Sequence, residues 1–185
     1  MAVQTKATLA DLYKEPGKAE LIDGRVIQLM PTGGDPGYAA DEIFASLREY
    51  AKRVKIGRAV SDNKGFRVNL PNRESFSPDA AFYIGTNPGM KFYEGAPVFA
   101  VEVRSESDYG PEAEHAMAQK RADYFAAGTQ VVWDVDLLSE KVIKSYSAKE
   151  PNTPIPFRKS ELAHAEPAIM GWNFAVIDLF PTDLD

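Results

Sequence analysis

The chain has 185 residues, 44% of them hydrophobic and 26% charged, which is the composition of one globular domain long enough to bury a core. It has no cysteine and only two histidines, His115 and His164, so disulfides and thiolate zinc are excluded and a histidine-based metal centre is a poor expectation. A net charge of -6 excludes a coat of basic surface for nucleic acid, although a local basic groove stays open.

Thr5 or Thr8 can cap a short helix over "TLADLY". "AELIDGRVIQLM" predicts a β-hairpin in which Asp23-Gly24 supplies the tight turn. After the loop "PTGGDPG", Asp35-Pro36 opens a helix through "YAADEIFASLREYAKRV". Ala40, Ile43, Phe44, Leu47, Ala51 and Val54 recur there at the helical period, and Gly57 marks the end. "RAVS" and "GFRVNL" read as two strands joined by the turn "DNKG". "SPDAAFYIG" and "PVFAVEVRS" read as central strands around the loop "TNPGMKFYEGA".

"GPEAEHAMAQKRADYFAAG" is the clearest helix. Pro111 suits its first turn, Glu112 and Glu114 favour the positive end of its dipole, and Gly128 can close it. "VVWDVD" is a further strand, and "KVIKSYS" its hairpin partner. The Pro-rich and then apolar remainder closes the fold. With no internal repeat or linker, residues 1–185 are expected to form one mixed α/β unit. No apolar run approaches the roughly 20 residues of a membrane span. The N-terminus lacks the apolar stretch of a secretory signal, so the expected location is cytoplasmic.

Glu102 interrupts the most apolar short run in the chain, "PVFAVEV". A buried, unpaired carboxylate is costly, so Glu102 needs a partner. Strand alternation puts Val98, Ala100, Glu102 and Arg104 on one face and Phe99, Val101 and Val103 on the other. If the two central strands pair, Asp79 and Glu102 converge. Two such carboxylates suit a hard divalent cation or acid/base chemistry. The plainer alternatives are a turn cap at Asp79 and a cation partner for Glu102. On the helix, Met117, Lys120, Tyr124 and Ala127 share one face. Lys120 therefore faces the protein, either snorkelling at the sheet edge or reaching a buried anion. Arg48, Lys52, Arg53, Lys55 and Arg58 form a basic cluster that is either a solvated helix face or one wall of a nucleic-acid groove. "YIGTNPGMK" has the wrong spacing for a phosphate loop, and Tyr83 and Trp133 read as core.

"SPDAAFYI", "PVFAVEVRSESD" and "QKRADYFAAGTQVVWDVD", in this order, resemble the Uma-type putative restriction endonuclease family of the PD-(D/E)XK nuclease superfamily. "AELIDGRVIQL" and "MGWNFAVIDLF" resemble its N-terminal hairpin and closing segment. The resemblance implies a restriction endonuclease-like core, a central mixed sheet flanked by helices, and Mg²⁺-dependent (or Mn²⁺-dependent) hydrolysis of DNA, often by a homodimer. It implies metal ligation by Asp79, Glu102 and the Val103 carbonyl, support from Glu20, and Lys120 with Tyr124 as the helix motif. Arg104 departs from the pattern, standing where the superfamily motif has lysine. Arginine cannot act as a base, but it can hold a phosphate or compete with the metal for Glu102. In the latter case an Arg104–Glu102 ion pair would mark a catalytically silent module binding nucleic acid or a protein. A hydrolase of small phosphate esters is the third expectation, favoured over DNA by the acidic charge.

Overall fold

The computed structural model describes residues 6–181. In chain order it contains α1 (Leu9–Leu12), β1 (Ala19–Ile22), β2 (Arg25–Gln28), α2 (Gly34–Val54), β3 (Arg58–Ser61), β4 (Phe66–Arg67), β5 (Ser75–Phe76), β6 (Ala80–Tyr83) and β7 (Tyr93–Glu94). There follow β8 (Phe99–Val103), α3 (Pro111–Ala126), β9 (Val131–Val135), β10 (Ile143–Ser147), β11 (Glu150–Phe157), β12 (Leu162–His164), β13 (Asn173–Ala175) and a 3-10 turn at Val176–Leu179. Six strands form the central sheet in the order β11-β10-β9-β8-β6-β3. Within this sheet only β8 and β9 run parallel, because α3 carries the chain over one face between them. The other neighbours are antiparallel, so the sheet is mixed and flanked by helices, as the sequence predicts.

The alternation along β8 assigns the two faces. Phe99, Val101 and Val103, with Trp133 and Val135 of β9, pack against Ala39, Ala40, Ile43 and Leu47 of α2 in the larger core. Ala100, Val132, Ala81 and Tyr83 face the other way, toward Tyr124 of α3 and toward Phe66 and Phe76. Phe76 and Tyr124 stack with ring centroids 4.0 Å apart, which fixes α3 above the strand that carries Glu102.

Several local expectations need correction. β3 and β4 do not form a hairpin: β3 pairs with β6, while β4 pairs with β5 and β7 in a separate small sheet. Phe66 is drawn out of the expected hairpin because it is fully buried between Tyr83 and Tyr93. The segment "GFRVNL" turns back through main-chain pairs Val68–Glu74 and Leu70–Arg73, so its regular strand is only two residues long. The loop "TNPGMKFYEGA" contributes β7.

α2 ends through Lys55, at φ 58°, rather than through Gly57. Gly57 has its own constraint, since a Cβ there would lie 2.6 Å from the Phe82 ring. The Pro-rich segment forms β11, which tolerates Pro151, Pro154 and Pro156 because it is the edge of the sheet and is laddered on one side only. Thr8 caps α1, its main-chain N–H donating to Asp11 at 3.0 Å. Thr5, the other candidate cap, lies outside the described residues.

Candidate active site

Asp79 precedes β6, and its main-chain N–H donates to the Val101 carbonyl, so the β6–β8 ladder reaches it. Its side chain extends that ladder, with Oδ2 accepting the Val103 N–H at 2.7 Å. An extended residue directs its N–H and C=O to the same strand edge. The Val103 carbonyl is therefore turned toward Asp79. Glu102 lies on the α3 face of β8, where α3 supplies both its partners. Lys120 Nζ donates to Oε2 at 2.8 Å and the Tyr124 hydroxyl donates to Oε1 at 2.6 Å. The i, i+4 spacing on α3 delivers these two groups to one carboxylate. Arg121 turns away to lie over the Tyr146 ring, 3.7 Å from its centroid.

Glu20, on β1, closes the group from the third side. Its Oε1 accepts the Ser77 N–H at 2.8 Å and lies 3.0 Å from Lys120 Nζ, while Oε2 accepts from Arg73 at 2.5 Å. Arg73 also donates to Asp123 at 2.9 Å, and Asn72 and Gln119 each donate to the same aspartate at 3.0 Å. Lys18 Nζ stands 2.5 Å from Asp79 Oδ1 and 2.7 Å from Asp62. Glu20, Asp79, Glu102, Lys18, Lys120, Arg73 and Arg104 all line one pocket of about 440 Å³.

These charges act on one another. Burial alone would raise the pKa of Glu20, but Lys120, Arg73 and the Ser77 N–H overcome it and hold the carboxyl below its ordinary value. Glu102 goes the other way: burial and then the neighbouring Asp79 and Glu20 charges raise its pKa, against the pull of Lys120 and Lys18. Burial disfavours the Lys120 ammonium, yet Glu102 and Glu20 more than offset this, and its pKa is raised. Lys120 therefore stays protonated near neutral pH and is suited to donating and neutralising charge, not to accepting a proton. Burial, followed by the Glu102 charge, lifts Tyr124 well above the usual phenol value, so it remains a donor.

Arg104 follows the expected face alternation but not the expected partner. It makes a fork to Asp134, Nε to Oδ1 and Nη2 to Oδ2, both at 2.8 Å. It pairs also with Glu114 at the start of α3. The Arg104–Glu102 ion pair considered above is not formed, because Asp134 sits beside Glu102 in the β8–β9 register and engages the guanidinium first. The basic cluster is likewise displaced from the site. Arg48, Lys52 and Arg53 are on exposed positions of α2, which covers the opposite face of the sheet. Lys52 pairs with Glu49, and Arg58 donates to Asn87. The solvated-face reading of this cluster is the one the geometry favours.

The sequence reading did not single out Lys18, Arg73, Asp123 or Asp134 in the site. The alternation of "VVWDVD" carried a signal for Asp134, since it places Val132 and Asp134 opposite Val131, Trp133 and Val135. Arg73 and Lys18 lie outside the regular strands, at positions without a periodic pattern. Among the described residues, no three acidic or histidine side chains gather closely enough to hold a metal ion together. A cation held here would have to be content with two carboxylates, main-chain oxygen and solvent, an arrangement that Mg²⁺ tolerates.

No helix among the described residues is long and apolar enough to cross a membrane. No curated protein matches the chain. Its structure is similar to that of a putative nuclease belonging to DUF820 from Anabaena variabilis, with TM-score 0.72 and 20% identity over 94% of this chain and 97% of that one. At that identity the likeness speaks for the fold. The Uma2 family model, described as putative restriction endonuclease, matches residues 7–176, and the chain belongs to that family.

Proposed function

We propose that the chain is a divalent-metal-dependent endonuclease that hydrolyses phosphodiester bonds in DNA. The observation that carries this reading is the meeting of Asp79, Glu102 and Lys120 in one pocket, with Lys120 bridging Glu102 and Glu20 at 2.8 and 3.0 Å. Membership of a family described as putative restriction endonuclease supports the same reaction class.

Asp79 and Glu102, with the Val103 carbonyl, would hold Mg²⁺ or Mn²⁺. Such an ion supplies a Lewis acid that neutralises phosphate charge and favours ionisation of an attacking water. Tyr124 and Lys120 fix the Glu102 carboxylate through a hydrogen bond to each oxygen. Lys120, kept cationic by its two carboxylates, stabilises negative charge developing on the phosphate. Glu20 holds Lys120 from the protein side and is itself held by Arg73. Arg104 contributes a fixed positive charge at the pocket wall. Its Glu114 partner is half-exposed, with 53% of the side chain accessible, and a phosphate could take its place on the guanidinium.

The test is nicking of supercoiled plasmid with Mg²⁺ or Mn²⁺ by wild type, Asp79→Ala, Glu102→Ala and Lys120→Ala. Metal-dependent nicking in wild type alone is expected. Nicking equal in all four proteins would sink the assignment. A pocket of about 440 Å³ on an acidic protein also suits a small phosphate ester. Turnover of such esters with intact plasmid would select that reading.

A further inference from the structure

Lys18 is a cation in the pocket that touches Asp79 and that the proposed chemistry does not use. It sits immediately before β1, with 13% of its side chain accessible. Its ammonium touches Asp79 Oδ1 at 2.5 Å and Asp62 Oδ1 at 2.7 Å. The other Asp79 oxygen is committed to the Val103 N–H. A metal on Oδ1 would leave that main-chain bond intact, and Lys18 stands on Oδ1. A divalent ion at the usual contact distance of about 2.0–2.1 Å cannot share that oxygen's near side with an ammonium. Asp62 lies in the turn after β3 and has 36% of its side chain accessible, so it offers Lys18 a second partner outside the pocket. The residue type suits such an exchange. A lysine is a point charge on a flexible stem, whereas an arginine would clamp the carboxylate with a fork.

We propose that Lys18 is a built-in counter-ion for Asp79, displaced toward Asp62 when a divalent cation binds. This rests on the metal-site reading above. Lys18 stabilises the carboxylate when no ion is bound, and it sets the affinity by competing for Oδ1. It is a positioning residue, and its effect is read in binding and stability rather than in turnover.

Mn²⁺ is titrated calorimetrically into wild type, Lys18→Met, Asp62→Asn and, as a charge-matched control, Lys14→Met, whose exposed lysine pairs with Asp11. Removing a close competing charge is expected to tighten Mn²⁺ binding about tenfold in Lys18→Met, with a lowered thermal midpoint before Mn²⁺ is added. Asp62→Asn, which leaves Lys18 with Asp79 alone, should weaken binding by about threefold or more. Lys14→Met should change it less than about twofold at physiological salt. Mn²⁺ binding by Lys18→Met alone, with none by wild type, would also support the competition. Wild-type binding that is unchanged or weakened in Lys18→Met overturns this role and leaves the metal site standing. Absence of binding in both proteins removes the metal site and this role together. If Lys18→Met does not fold, Asp62→Asn decides, and an unchanged affinity there counts against the exchange.

Discussion

Glu102 on β8 and Arg104 just past its end stand two residues apart on one face, and the molecule treats them differently. Arg104 is locked: its guanidinium makes a two-bond fork to buried Asp134 and a second pairing with Glu114. Glu102 is held by two single contacts from α3, a lysine and a tyrosine. Its side chain keeps 22% of its surface accessible, against 3% for Arg104. The fork to Asp134 is rigid and always charged, which suits a structural tie between the end of β8 and β9. Lysine contacts are single and adjustable, which suits a carboxylate that must exchange partners. Neighbouring ion pairs on one strand can thus serve stability on one side and chemistry on the other.

The largest expected effect comes from breaking the rigid side. Arg104→Leu strands Asp134 in the interior, and losing one partner of a buried pair should cost about 3–5 kcal/mol, read as a lowered urea midpoint. Arg104→Lys should recover only part of it, because an ammonium cannot make the fork. Tyr124→Phe comes next. It keeps the stack on Phe76 but removes one hydrogen bond to a charged acceptor, a loss of about 1.5–3 kcal/mol in the same measurement. Glu102→Gln should be milder still, within about 1 kcal/mol of wild type, since its carboxylate is already disfavoured by burial and by Asp79. A loss as large as that of Arg104→Leu would erase the contrast.

The smallest effect is on pH dependence. Glu20 has a lowered pKa in the fold, so its contribution is fully present above the ordinary glutamate value near 4.3 and fades as pH falls through its native value. Glu102 has a raised pKa, so the native state retains its proton longer than the unfolded chain. Stability should decline as pH rises from about 4.3 through the Glu102 native value. Glu102→Gln should abolish the decline on the alkaline side and leave the acid-side loss intact. Thermal midpoints across pH 3 to 8, roughly the range that carboxylates and their shifted values span, measure both limbs.

What the sequence discloses follows from the range of each interaction. The α3 period places Lys120 and Tyr124 inward, and strand alternation places Glu102 opposite Val101 and Val103, because both signals are local. The family resemblance is shared by the matched family over residues 7–176. Arg73 was not legible, since its partners Glu20 and Asp123 are 53 and 50 residues away in the chain. Lys18 meets Asp79 across 61 residues. Two-residue strands such as β4, β5 and β7 are too short to show alternation. The fate of Arg104 turned on which of several carboxylates the β8–β9 register set beside it, and neither strand shows that alone.

In the proposed chemistry Asp79 and Glu102 together bind one divalent cation. Calorimetric titration of Mn²⁺ into wild type, Asp79→Asn, Glu102→Gln and the double variant tests it most directly. Saturable binding to wild type, weakened in each single variant and lost in the double, is the predicted result. Equal binding by wild type and the double variant, or none by any of the four proteins, would contradict it.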